Sequence, residues 1–280
     1  MINKWTFSIA IFFFSLNCFN VLIGQTIKGV VIEEETGELL EFVQVGVVGE
    51  NVGCLTNEKG QFILEVNALE EEGSLIVSYL GYQRKIVPVK HFEKDILLKI
   101  YLTKEIYALP DATILASKFS KDRKFGYPRT DSKELHTNLE YTSGDRGTLI
   151  KVKKKPALIK SLNFHIASSE FDSVQFRIHL YTIKNDMPYE DLFKENVFFK
   201  TDQKEGWVKI PLSDLNLIIE ENVIATIEWV KAWKQEEITG DGVHLSMGLL
   251  GTLYIRDYAH QNWKKFTIGH PGIYLEAKTN

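Results

Sequence analysis

The stretch Val52-Gly53-Cys54-Leu55-Thr56-Asn57-Glu58-Lys59-Gly60-Gln61-Phe62, followed by Gly73-Ser74-Leu75-Ile76-Val77-Ser78-Tyr79-Leu80-Gly81-Tyr82, decides how the N-terminal part of this 280-residue chain folds. Short runs rich in Val, Ile and Tyr alternate with Gly, Asn and Glu turns, which leaves no room for helices to cover a sheet. In Asn57-Glu58-Lys59-Gly60 the Asn side chain can bond its own backbone and Gly supplies a left-handed position, so a tight turn is expected. Beyond it, Phe62, Leu64 and Val66 fall on one face, and Gln61, Ile63 and Glu65 on the other. Working outward, Ile27 to Ile32, Phe42 to Val48, Val52 to Thr56, Leu75 to Tyr79, Tyr82 to Val89 and Asp95 to Leu102 complete the strands, with Gly81 marking a bend. Residues 25–102 read as a small all-β sandwich.

Three segments carry a resemblance: Ile27-Lys28-Gly29-Val30-Val31, Thr56-Asn57-Glu58-Lys59-Gly60-Gln61-Phe62 and Ser78-Tyr79-Leu80-Gly81-Tyr82. Residues 26–102 resemble the carboxypeptidase regulatory-like domain. That resemblance implies a seven-stranded transthyretin-like (prealbumin-like) sandwich, common at the N-termini of exported and outer-membrane proteins of the Bacteroidetes type. It implies an accessory or scaffolding role and carries no catalytic residues. Members of the family can precede a large outer-membrane barrel, but only 178 residues follow Leu102, too few for one. Nor is the Asn57–Gly60 turn a calcium loop: calcium wants six or more oxygens from a loop of about twelve residues, Asn57 and Glu58 are too few, and Lys59 sits beside them.

Hydrophobic content of 44% and charged content of 25% suit a folded protein. Residues 26–102 hold 7 Lys/Arg against 13 Asp/Glu, whereas residues 103–280 hold 25 against 24. Neither balance points to nucleic acid. Residues 1–24 read as a signal peptide: Lys4, an apolar run from Phe7 to Phe19, and Gly24 before the cleavage point. The run is short for a membrane anchor, and Leu16-Asn17 before Cys18 is a poor match to a lipidation signal. The expected location is therefore the periplasm, the outer membrane or the cell surface, with no transmembrane segment in the mature chain. Removal of the signal leaves Cys54 alone, so packing rather than a disulfide holds the fold, and Cys54 reads as a small buried hydrophobe.

Residues 103–138 read as a linker or edge segment. Its basic, aromatic-interleaved run Ser117–Arg129 suggests either a solvated connector or a contact with phosphate or a membrane surface. Residues 139–280 read as a second, larger sandwich of the jelly-roll or galactose-binding-like kind. There Leu162, Phe164 and Ile166 oppose Ser161, Asn163 and His165. Val174, Phe176, Ile178 and Leu180 oppose Gln175, Arg177, His179 and Tyr181. Such polar reverse faces suit an antiparallel sandwich wetted on its outer side. Tyr189–Asn196 suggests a helical turn, and Asn222–Trp233 the longest strand.

Motifs for a zinc protease, a serine-hydrolase elbow or a nucleotide loop are missing, so the expectation is a non-enzyme without a cofactor. His165 and His179 beside Glu228 would make a metal set only if the strand order brought them together, and a polar solvated face is the plainer reading. For a ligand site, sugar stacking on exposed aromatics points to Trp233, Arg256, Asp257, Tyr258 and Trp263, with ordinary capping of the sandwich as the alternative; Trp207 and Trp229 read as core. The functional expectation is an exported accessory module that recognises a glycan or an envelope protein. Two alternatives stand beside it: an assembly component using an unpaired sheet edge, and a hydrolase whose His and carboxylates converge in a cleft.

Overall fold

A computed structural model describes residues 25–66, 73–88, 97–105, 119–129, 136–138, 144–234, 242–258 and 260–280. The signal-peptide reading of residues 1–24, the end of the expected Tyr82–Val89 strand, the start of the Asp95–Leu102 strand, and residues 106–118, 130–135 and 139–143 of the linker and second-sandwich readings lie outside that set. Among the described residues no helix is long and apolar enough to cross a membrane.

The first unit has seven strands: β1 (Gln25–Glu33), β2 (Gln44–Val47), β3 (Gly53–Leu55), β4 (Gln61–Val66), β5 (Ser74–Ser78), β6 (Lys85–Pro88) and β7 (Leu98–Leu102). They form a three-stranded sheet, β4-β1-β7, and a four-stranded sheet, β3-β2-β5-β6. The alternation in β4 has its physical counterpart: Phe62, Leu64 and Val66 are buried while Gln61, Ile63 and Glu65 are exposed. The tight turn forms as the residues require. Asn57 Oδ1 accepts from the backbone N–H of Lys59 (2.9 Å) and of Gln61 (3.0 Å), and Gly60 takes φ +65°. Val31, Val43, Leu75, Val77 and Leu102 fill the space between the two sheets.

The second unit comprises β8 (Lys121–Gly126), β9 (His136–Asn138), β10 (Asp145–Ile150), β11 (Ala157–Ser169), β12 (Ser173–Lys184), β13 (Met187–Asp191), β14 (Val197–Thr201), β15 (Gly206–Pro211), β16 (Ile218–Ile219), β17 (Val223–Trp233), β18 (Val243–Leu249), β19 (Leu253–Arg256), β20 (Lys264–Phe266), β21 (Gly269–Pro271) and β22 (Ile273–Thr279). One antiparallel sheet runs β13-β12-β17-β10-β19-β20, with β14 also on β12. The other runs β21-β18-β11-β22-β8, with β15 and β16 on β11 and β9 on β18. From β10 onward the chain crosses repeatedly between the two sheets, as a jelly roll does. Phe164 of β11 meets Phe176 of β12 edge-on at 5.1 Å in the centre of this larger core, both fully enclosed.

Three readings need correction. Lys121–Gly126 is no free connector: it pairs with β22 from Lys121↔Thr279 to Gly126↔Tyr274, because Phe125 supplies a core side chain that a linker would waste. Residues 187–191 extend a hairpin with β12 instead of making a helical turn. The longest strand is β11, with 13 residues, rather than the 11-residue β17.

Candidate functional site

Two outer faces of the second sandwich carry its chemistry. On the β12/β17/β10/β19 face, strand register alone aligns four charged residues. Arg177 lies opposite Glu228, Glu228 opposite Asp145, and Asp145 opposite Arg256. The row therefore reads cation, anion, anion, cation. Arg177 grips Glu228 with two parallel bonds, Nε to Oε2 at 2.6 Å and Nη2 to Oε1 at 2.9 Å. Arg256 holds Asp145 Oδ2 from Nη2 (2.7 Å) and Nε (3.1 Å). Two adjacent carboxylates repel, and His179 bridges them: Nε2 lies 3.2 Å from Glu228 Oε2 and 3.9 Å from Asp145 Oδ1, while Nδ1 bonds Asp191 Oδ2 at 2.6 Å.

Burial opposes charge on His179, but the hydrogen bonds and fields of Asp191, Glu228 and Asp145 outweigh it and lift its pKa to about 9. Burial likewise works against ionised Glu228, yet Arg177 and His179 hold its carboxyl well below the usual range. Both groups are therefore charged at neutral pH. The row is enclosed, with Asp145 and Glu228 at 0% exposure and Arg177 at 1%.

What covers this face is the first sandwich. Arg177 Nη1 donates to the carbonyl of Phe42 (3.0 Å), whose φ is +55°, and Gln44 Nε2 donates to Glu228 Oε1 (3.1 Å). Phe42 packs edge-on against Phe198 at 5.6 Å, Asn196 Nδ2 bonds the Leu80 carbonyl at 3.0 Å, and Lys231 pairs with Glu58. At the other end of the junction a β-carbon on Gly46 would lie 3.0 Å from the His260 ring, and one on Gly53 3.3 Å from Tyr258. The reading of Arg177, His179 and Tyr181 as a solvated face is thereby corrected: a protein surface replaces the water.

The residues predicted to bind a ligand divide accordingly. Arg256 belongs to the charged row and also lies 4.4 Å over the Trp263 ring, which packs on Tyr181 at 5.6 Å. Asp257 pairs with Arg146 (3.2 Å) and Lys264 (3.0 Å), and Tyr258 abuts β3. Arg256 and Trp263 thus pack on each other within the second sandwich, Asp257 forms ion pairs there, and Tyr258 touches the first sandwich. Trp233 stands apart at the end of β17, beneath Lys200 at 3.7 Å and Lys231 at 4.6 Å. Of the proposed metal set, His179 does meet Glu228. His165 lies on the opposite sheet, bonded to Ser246 Oγ at 2.8 Å. Among the described residues no His, Cys, Asp and Glu group suits a metal ion.

The second face, the outer side of β15-β11-β22-β8, stays open. Trp207 was read as core, but Val208 and Ile210 take the inward positions, so Trp207 and Lys209 point outward. Trp207 stands edge-on to Tyr274 (4.9 Å) and to His165 (5.0 Å). Beneath them Asn163 Nδ2 donates to Ser161 Oγ (2.9 Å), which donates to Glu276 Oε2 (3.0 Å). Lys209 Nζ also reaches Glu276 Oε2 (2.6 Å), and Lys124 lies 3.6 Å from Oε1 and 4.9 Å over the Tyr274 ring. The Lys209 bond holds the Glu276 carboxyl below its ordinary range. A groove of about 430 Å³ runs beside this network, between Asp122, Arg123, Lys124, Lys160, Lys209 and Glu276. The alternation Trp207-Val208-Lys209-Ile210 was the available signal, masked by the apolar character of Trp itself.

Comparison with known proteins bears on the first sandwich. Residues 27–114, which include most of the N-terminal sandwich, match the family model of the CarboxypepD_reg-like domain. The match extends beyond Leu102, the boundary expected from the strand pattern. No family model covers the second sandwich, and no curated protein matches the chain. Solved structures that match include the cysteine protease and lectin-like domains of Cwp84, a surface layer associated protein of Clostridium difficile. The TM-score is 0.40 at 10% identity, over 85% of this chain and 58% of that one.

Proposed function

We propose that this protein is an exported, non-catalytic binding module of the cell envelope, and that its ligand face is the outer side of β15-β11-β22-β8. The observation that carries the reading is the groove of about 430 Å³ lined by Lys124, Lys160, Lys209 and Glu276, on the sheet face to which Trp207 also turns. Polar side chains ordered around Glu276 line it, and an outward Trp on the same face offers a surface on which a sugar ring could stack. Four cations line it against two carboxylates, which favours an acidic glycan. The apolar N-terminal run and the regulatory-like domain support export and an accessory role. The convergence of His179, Asp191 and Glu228 would otherwise suit a hydrolase. It is sealed under the first sandwich and committed to ion pairs, so it offers substrate no access.

The test is calorimetric titration of the protein with panels of neutral and acidic oligosaccharides. Trp207→Ala and Lys124→Ala/Lys160→Ala should abolish or weaken binding at least tenfold, with the unfolding midpoint near wild type, while Trp233→Ala binds normally. Binding that survives both groove variants and disappears with Trp233→Ala would move the site, and no binding to any glycan would reject it. An assembly role through an unpaired edge has support in Ile86, which is exposed on edge strand β6. Lys85 and Pro88 on the same short strand discourage strand addition there.

A further inference from the structure

The run Lys153-Lys154-Lys155 turns the chain from β10 into β11. Val152 before it is buried, Ala157 after it is fully enclosed, and Asn222 Oδ1 accepts from the Val152 backbone N–H at 3.0 Å. With both ends of the turn anchored, the three lysines between them are exposed side by side. Strand register sets them beside the groove. Ala157 lies opposite Thr279 of β22, and Thr279 opposite Lys121 of β8, so the turn stands at the end of the strands that carry Lys160, Glu276 and Lys124. Lys278 lies between turn and groove, because alternation puts it on the outer face of β22 with Tyr274 and Glu276. The groove's own charge is partly committed, since Lys124 and Lys209 both reach Glu276. Among the described residues no acid pairs with Arg123, Lys160, Lys278 or the three lysines of the turn. Four exposed acidic side chains stand at this end, Asp122, Asp214, Glu220 and Glu221, against eight cations once Lys121 and Lys151 join those six.

We propose, resting on the reading of the groove as a glycan site, that the acidic glycan continues past Lys160 and Lys278 onto this lysine turn. The ligand is then a polymer with acidic groups on successive units, and not a short sugar with one charge. Lys160 and Lys155 are five residues apart, about 16 Å of extended chain, and Lys278 lies alongside that path. A groove of about 430 Å³ encloses only a short oligosaccharide, so a ligand that reaches the turn must be longer than the groove. Exposed, unpaired ammonium groups suit a repeating anion. Each contact is weak in water and screened by salt, but a chain already held in the groove meets the next cation at high local concentration. A sugar with a single charge gains nothing from that arrangement.

The experiment titrates the protein at low salt with oligogalacturonates and with sulfated heparin oligosaccharides, each as a disaccharide and as a dodecasaccharide. The two series separate carboxylate from sulfate as the acidic group. In the preferred series the dodecasaccharide should bind at least about a hundredfold more tightly than the disaccharide, beyond the roughly tenfold that its overlapping registers give by counting alone. Lys153→Ala/Lys154→Ala/Lys155→Ala removes exposed side chains only, so its unfolding midpoint should stay near wild type. In that variant the gain with length should shrink to the counting factor, and added salt should do the same to wild type. A wild-type gain no larger than the counting factor, or a variant in which both lengths weaken equally, would overturn the proposal. The groove reading would survive that result if Trp207→Ala still weakened disaccharide binding. Failure of every acidic oligosaccharide to bind would overturn both. Phosphatidylglycerol vesicles are the last arm: co-sedimentation lost in the triple variant, with no gain from glycan length, would overturn the proposal in favour of a lipid surface.

Discussion

His179 is the residue on which the electrostatics of the molecule turn. Glu228 and Asp145 face each other on neighbouring strands, and the imidazole lies between them, 3.2 Å from the one and 3.9 Å from the other, where it joins Arg177 in holding the Glu228 carboxyl below its usual range. The imidazole pKa in the fold, about 9, lies above the ordinary 6.5, so the associated stability is complete below pH 6.5 and disappears as pH climbs through 9. His260, at the far end of the junction, behaves oppositely. Burial, then the fields of Arg256 and Arg84, lower it to about 4, so protonation on acidification below 6.5 costs stability. Together they predict a stability maximum near pH 6.5 in urea unfolding. His179→Gln should flatten the alkaline limb, and a limb of unchanged steepness in that variant would contradict the assignment. Glu228→Gln leaves Arg177 enclosed and half-compensated, which should cost about 3–5 kcal/mol by chemical denaturation.

At the level of strands, inward faces were readable and outward faces were not. Val174, Phe176, Ile178 and Leu180 fill the core as their alternation requires, and Phe176→Ala should cost about 3–5 kcal/mol in a denaturant melt. The opposite face, Arg177-His179-Tyr181, is polar whether water or another protein surface covers it. Composition cannot separate the two, and the decisive fact was strand order, which aligns Arg177 with a carboxylate 51 residues away in the chain. The same limit explains the ligand residues. Arg256, Asp257, Tyr258 and Trp263 were read together from a loop rich in aromatics and polar groups; in the fold Arg256 is held by Asp145, Asp257 by Arg146 and Lys264, and Tyr258 abuts β3. In β8, one core residue, Phe125, among charged neighbours gave too weak a signal against a basic linker. Gly147 is a position where packing, not turn geometry, demands glycine: a β-carbon there would lie 2.3 Å from the Ala225 carbonyl. Gly147→Ala should therefore push β10 from β17 and lower the melting temperature by several degrees, whereas Gly37→Ala, with nothing within 4 Å, should act only through its φ of +73°.

For the whole molecule, the consequence is that two sandwiches with separate apolar cores are fastened through a buried polar junction. Polar junctions add modest affinity but fix orientation, because each charged group is satisfied in only one arrangement. The first sandwich covers one outer face of the second and leaves the other, which carries Trp207 and the groove, open. On the proposed reading it acts as a rigid mount. Scanning calorimetry near pH 6.5 tests this most directly. A single cooperative transition is expected for residues 25–280, separating into two in Arg177→Met because the Phe42 and Glu228 contacts are lost together. Two independent transitions already present in the unmodified protein, unmoved by Arg177→Met, would contradict it.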